Sequence, residues 1–154
     1  MKINLVWIGK AKYKYTNEAV DLYLSRLKHY CKVEVLELKD IKSNNATQQK
    51  KEEAKLFLKH IKKAGYNICL DERGKEFTSL KLASHLEAFD NRSLKELNII
   101  IGGAYGFQSD VLQACDEKWS LSKMTLPHDL CRILITEQLY RAFSILRGEK
   151  YHNE

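Results

Sequence analysis

Hydrophobic positions recur along the chain with two different periods, one suited to strands and one to helices. Lys2–Ile8 (KINLVWI) is a short apolar run of the kind found in buried strands. Asn17–Tyr30 follows, with Val20, Tyr23, Leu24 and Leu27 at helical spacing. Lys32–Leu38 (KVEVLEL) partly alternates and predicts a second strand. After the polar stretch SNNATQQ, Thr47 is placed to cap a helix with the stripe Ala54, Phe57, Leu58 and Ile61, and Gly65 to stop it. Tyr66–Leu70 (YNICL) reads as a third strand, and Ser79–Phe89, carrying Leu82, Ala83 and Leu86, as a third helix. Leu97–Ile101 (LNIII) is the clearest strand, because three consecutive isoleucines suit burial on both faces. Ser109 is expected to cap a short helix through Ala114, with Lys118–Leu121 as a fifth strand. Pro127, the only proline, takes the first position of a long helix that runs to about Arg147 before Gly148.

Strands alternating with helices predict an α/β domain with a mainly parallel sheet and helices on both sides, spanning residues 1–154 as one unit without internal repeats. In such sheets ligands sit beyond the carboxyl ends of the strands. Three connections are therefore of interest: after Leu70, after Ile101, and between Leu121 and Pro127.

Hydrophobic residues make up 44% and charged residues 30%, a globular composition that excludes disorder and a collagenous repeat. No apolar run approaches the ~18 residues of a membrane span, and the start of the chain lacks the pattern of a secretory signal, so the expected location is the cytoplasm. Residues 1–80 hold 17 basic and 10 acidic side chains, a net +7, against 9 and 10 in residues 81–154. That asymmetry suits a polyanion-facing surface, although Lys-rich solvated helix faces produce the same sum. Cys31, Cys69, Cys115 and Cys131 form no CxxC pair, so buried reduced thiols are expected, with neither a disulfide framework nor a metal site.

Gly102-Gly103-Ala104-Tyr105-Gly106 directly follows LNIII, where glycine lets a ligand approach the backbone. It is neither a dinucleotide fingerprint nor a Walker loop, and taken alone it reads more simply as a tight strand-to-helix turn. Leu121-Ser122-Lys123-Met124-Thr125-Leu126-Pro127-His128 is unusually apolar for a solvated connection; it suits an adenine ring held by apolar contact and main-chain hydrogen bonds, or a short buried strand. The last helix is apolar on more than one face, which points to a dimer interface. Within it Glu137 and Arg141 stand at i,i+4, the spacing of an ordinary helix-surface ion pair. Lys10, Lys12 and Lys14 interleave with Tyr13 and Tyr15, and the tail carries Tyr151 and His152; both segments suit phosphate contact and base stacking.

Taken in order, the IGGxxGF loop, LSKMTLPH, R-x-L-x-x-E-Q-x-Y-R-A-F and the terminal Tyr-His pair resemble the RlmH family of SPOUT-class methyltransferases, as do the opening KINLVWIGKAK and the LDERGKEFTS segment. The resemblance covers the whole chain. It implies a C-terminal trefoil knot that forms the S-adenosyl-L-methionine site, a homodimer with an RNA site composed from both subunits, and a pseudouridine of large-subunit (23S) ribosomal RNA, within the ribosome, as substrate. Carried over residue by residue, the cofactor contacts fall on Leu70, Gly102, Leu121, Ser122, Lys123, Met124, Thr125 and Leu126. The substrate side falls on His128, Arg132, Glu137, Tyr140, Arg141, Tyr151 and His152. Family tails often place a basic residue after the Tyr-His pair, where this chain has Asn153 and Glu154.

The implied chemistry is methyl transfer to the imide nitrogen N3 of pseudouridine, with no metal and no membrane partner. An imide titrates above neutral pH, so a base or a stabilising cation helps. Arg141 or Arg132 is expected to stabilise the charge, and His152 or His128 to relay the proton. A ribosome-associated RNA-binding factor without catalysis is the alternative that the basic half alone would support. A flavodoxin-like domain fits poorly, because Gly9-Lys10-Ala11-Lys12 lacks a glycine-rich phosphate loop.

Overall fold

Ten elements alternate along the chain: β1 (Lys2–Ile8), α1 (Lys14–Leu27), β2 (Lys32–Leu38), α2 (Ala46–Ile61), β3 (Tyr66–Glu76), α3 (Ser79–Asn91), β4 (Glu96–Ile101), α4 (Ser109–Ala114), β5 (Glu117–Ser120) and α5 (His128–Leu146). They come from a computed structural model that describes residues 1–61 and 65–153. Glu154, in the tail discussed above, lies outside the described residues. The strands form one sheet in the order β2-β1-β4-β3-β5, and every neighbouring pair is parallel.

Central position explains the composition of β4. Leu97, Ile99 and Ile100 are fully buried because helices cover both faces of the sheet. Ile3, Leu5, Trp7, Ile68, Leu97 and Ile99 pack in one core with α1, α3 and α5, whereas Val6, Ile8, Cys69 and Ile100 pack in another with α2 and α4. Asn4, Asn98 and Asn67 stand side by side on three adjacent strands. Asn4 donates to Asn98 at 2.8 Å and Asn98 to Asn67 at 2.9 Å, so a chain of buried amides crosses the three strands and fixes their register.

Several boundaries differ from those the sequence predicts. α1 starts at Lys14 rather than Asn17 and ends at Leu27, because Asp129 of α5 accepts the backbone N–H groups of Lys12 and Tyr13 and the Thr16 hydroxyl just at its entry. Asn45, not Thr47, caps α2: its side chain accepts from the N–H groups of Thr47 (2.9 Å) and Gln48 (3.3 Å). Ser109 is the first residue of α4 rather than its cap, and Pro127 is the cap of α5 rather than its first residue. β3 continues past Leu70 to Glu76, with a register shift against β5 between Leu70 and Lys75. Gly74 makes the continuation possible, since a Cβ there would stand 2.6 Å from the Lys118 carbonyl.

The expectation of four reduced thiols is corrected. Cys69 of β3 and Cys115 at the end of α4 form a disulfide, with Cα atoms 6.2 Å apart, and Cys31 and Cys131 are free. The two partners are 46 residues apart in sequence, and only the packing of α4 on the sheet brings them together. Among the described residues no helix is long and apolar enough to cross a membrane, and no group of His, Cys, Asp and Glu could hold a metal ion.

Candidate functional site

The carboxyl ends of β3, β4 and β5 surround a cavity of about 780 Å³, lined by residues 70–73, 101–107, 121–122 and 124–128 together with Cys131 and Lys50. The connections after Ile101 and between Leu121 and Pro127 thus form one cleft, and its third wall is β3 itself, whose residues 70–73 are strand rather than the loop expected after Leu70. Of the expected cofactor contacts, Leu70, Gly102, Leu121, Ser122, Met124, Thr125 and Leu126 line it. Lys123 does not: its side chain is exposed and its Nζ lies 3.7 Å from Glu76. The loop bends at Ser122, whose hydroxyl accepts the Met124 N–H and whose carbonyl accepts the Ser120 hydroxyl, and this bend turns Lys123 outward.

Other polar groups pin the walls. Thr125 donates its hydroxyl to Glu72 at 2.7 Å, tying the 121–127 loop to β3. Arg73 forks onto Asp71 at 2.8 and 2.9 Å and holds that carboxyl below the usual carboxylate range. Phe107 lies beneath Gly102, where a Cβ would meet its ring at 3.3 Å. From the other side α2 supports the glycine loop: a Cβ on Gly103 would stand 2.7 Å from Glu53 Oε2. Glu53 is buried; burial raises the pKa of its carboxyl, opposed by a hydrogen bond from Gln49 and aided by the Asp40 charge.

His128 reaches the cleft from the start of α5. Burial, with the charges of Arg132 and Lys12, holds its pKa below the ordinary value against the opposing pull of Asp129, so the ring is neutral at neutral pH. Its Nε2 lies 3.4 Å from Asp129. Beyond Asp129 runs the basic N-terminal loop, where Lys10, Lys12 and Lys14 are exposed and the rings of Tyr13 and Tyr15 stack 5.1 Å apart.

Arg132 requires a correction. Expected to face RNA, it is 2% exposed, donates to the Ile8 carbonyl at 2.8 Å and lies over the Trp7 ring. It anchors α5 to β1, and its charge is enclosed. Tyr140 is likewise half-buried, bounded by the rings of Tyr23, Tyr30 and Tyr151 with Arg26 over its own ring. It shapes an aromatic cluster rather than offering a free face for stacking.

The tail folds back on that cluster. Arg141 donates through Nε to Glu137 at 2.9 Å, Tyr151 donates its hydroxyl to the same carboxylate at 3.0 Å, and the guanidinium lies over the Tyr151 ring. A second arm of Arg141 meets His152 Nδ1 at 3.3 Å. Guanidinium nitrogens only donate, so Nδ1 accepts and the ring proton resides on Nε2. The structure therefore gathers Glu137, Arg141, Tyr151 and His152 into one group and keeps His128 apart from it. At 1.5 Å per residue, the 13 positions from His128 to Arg141 along α5 span about 20 Å.

Sequence reasoning overlooked Lys50, Glu53 and Asp129. Lys50 and Glu53 lie in a helix that reads as a solvated face, and no spacing rule ties them to a loop some fifty residues on. Asp129 looks like an ordinary acidic residue in the first turn of a helix, and its main partners lie more than 110 positions away.

A family model described as predicted SPOUT methyltransferase matches residues 1–152. Over 157 aligned residues the chain is 43% identical to ribosomal RNA large subunit methyltransferase H of Parabacteroides distasonis, covering 100% of both chains. It is 42% identical to the protein of the same name from Christiangramia forsetii and 43% identical to that from Syntrophotalea carbinolica, with 99% of each chain covered. A solved structure of a probable methylase family protein from Haemophilus influenzae superposes with a TM-score of 0.61 at 13% identity, over 99% of this chain and 70% of that one, a likeness of fold.

Proposed function

The chain belongs to the SPOUT methyltransferases, in the family of ribosomal RNA large subunit methyltransferase H, and from that premise we propose that it moves a methyl group from S-adenosyl-L-methionine to N3 of a pseudouridine in large-subunit ribosomal RNA. The cleft at the carboxyl ends of β3, β4 and β5 carries this reading.

The residues present suit the methyl donor. Leu70, Leu121 and Leu126 provide apolar contact for an adenine ring, and the backbone of the 121–126 loop supplies hydrogen-bonding groups beside them. Gly102 and Gly103 form part of the facing wall, where they sit closely against Phe107 and Glu53. When bound, the donor supplies an electrophilic methyl group. The 121–127 segment, tied to β3 through Thr125 and Glu72, is the part of the chain that the family's trefoil knot would involve.

Methylation at N3 removes that nitrogen's proton. His128, neutral and at the edge of the cleft, is the acceptor that the geometry favours; His152 has Nδ1 engaged by Arg141 and presents Nε2 as a donor. Arg141, kept cationic by Glu137, opposes the negative charge developing on the imide oxygens. Tyr151 and the lysines of the N-terminal loop hold the RNA. Alignment of the nitrogen with the methyl group supplies the rest.

Because His128 and Arg141 are separated by about 20 Å along one helix, the functional site is, on this reading, composed from two protomers. Leu130 and Leu134, exposed by 40% and 38%, share a helix face with Glu137 and Arg141 and are the surface a second copy would cover. An antiparallel pairing of two α5 helices about a twofold axis near Leu134 brings His128 of one protomer towards Arg141 of its partner. The enzyme acts in the cytoplasm, on RNA of the ribosome.

Two measurements test the proposal. Mass spectrometry of ribosomal RNA from a deletion strain is expected to lack one methyl group on a pseudouridine, and an unchanged modification map would refute the substrate. Calorimetry is expected to show S-adenosylmethionine binding; a purely RNA-binding factor would show none.

A further inference from the structure

α2 sends a cation into the cleft. Lys50 is half-buried and lines the cavity, while Lys51 beside it is exposed. Three residues further on, Glu53 lies under Gly103. Positions three apart share a helix face, so Lys50 sits at the rim of the glycine loop, on the wall shared with Gly102 and Gly103.

The other charges of the cleft are committed. Arg73 is forked onto Asp71, Glu72 accepts from Thr125, and His128 is held neutral. Among the described residues no carboxylate lies within ion-pair distance of Lys50, whereas Lys55 of the same helix pairs with Glu52. A half-buried lysine with no ion-pair partner among the described residues, lining a cavity of this size, suits an anionic group.

Building on the methyl-donor reading, we propose that Lys50 pairs with the α-carboxylate of the donor's methionyl arm and makes the cleft select nucleosides that carry the amino-acid arm over those that lack it. The apolar 121–126 loop takes the base, and the arm then extends along the glycine wall to Lys50.

The test uses calorimetry on the full-length protein with two probes, S-adenosylhomocysteine and 5′-methylthioadenosine, which share the adenosine and differ in the amino-acid arm. Lys50→Met is expected to weaken S-adenosylhomocysteine about tenfold and leave 5′-methylthioadenosine unchanged, which also shows that the variant is folded. Lys51→Met changes neither, and added salt weakens S-adenosylhomocysteine binding in the wild type more than in Lys50→Met. If Lys50→Met binds S-adenosylhomocysteine as tightly as the wild type, or loses both probes equally, the role of Lys50 is refuted while the donor site stands. If the wild type binds neither probe, the donor reading itself fails.

Discussion

The Asp129 carboxylate at the head of α5 accepts the hydroxyl of Thr16 in α1 at 3.0 Å, although the two residues are 113 positions apart. The same oxygen takes the N–H groups of Lys12 and Tyr13, so one buried side chain ties the lysine–tyrosine loop to the helix that carries His128 into the cleft. Replacing it with alanine removes the acceptor of the buried Thr16 hydroxyl and of the Lys12 and Tyr13 N–H groups. Asp129→Ala is expected to cost about 3 kcal/mol in urea unfolding and to weaken RNA binding, because the loop loses its anchor.

The Glu53 carboxyl titrates above its ordinary value, chiefly through burial. The folded state thus binds this proton more tightly than the unfolded chain. The stabilisation is complete below the ordinary carboxylate range and is lost as pH rises through and beyond it. Glutamine does not titrate. Glu53→Gln is expected to raise the melting temperature by about 2–4 °C relative to the wild type at about pH 8, and by less at about pH 5. An equal shift at both values would place the effect elsewhere.

Lys10, Lys12 and Lys14 are exposed beside the stacked Tyr13–Tyr15 pair. Replacing all three with alanine is expected to weaken RNA binding and to reduce the slope of log affinity against log salt by roughly 2, since each lysine releases a counterion. Arg132→Met, in contrast, is expected to leave that slope unchanged while destabilising the fold, because Arg132 is enclosed by Trp7 and Ile8.

A site shared between protomers predicts complementation. His128→Ala and Arg141→Ala homodimers are each expected to lose most single-turnover activity. Mixed dimers hold one intact site and regain activity that neither parent has. Mixing that restores nothing would place both residues in a single-protomer site.

Thiol titration of the unfolded, unreduced protein is expected to find Cys31 and Cys131 alone. Reduction should expose Cys69 and Cys115 and, by opening a loop of 46 residues, lower stability by about 4 kcal/mol. Four thiols before reduction would contradict the bridge.

Local pattern made the elements legible. β1 and β2 coincide with the predicted runs, as does the start of β4 to within one residue, because an apolar stretch between polar ones has few alternatives to burial as a strand. Much of the cleft was legible for a related reason: in a parallel sheet, loop positions follow from strand direction, and the 101–107 and 121–128 connections converge beside residues 70–73 of β3 once the strands are aligned. The family resemblance was a weaker guide to individual charges. Of the residues carried over from it, Lys123 on the cofactor side turns outward and Arg132 on the substrate side is buried.

By itself the sequence determined the alternation of strands and helices, the sheet-end location of the site and the family chemistry, since each depends on residues close together in the chain. Tertiary structure alone decided which charges are free. Asp129 meeting Thr16, Glu53 beneath Gly103, Arg132 on Trp7 and Cys69 joined to Cys115 all bring distant segments into contact. Whether a charged or sulfur-bearing side chain is solvated, paired or bonded depends on what packs beside it, and that neighbour is set by the fold rather than by the residues on either side.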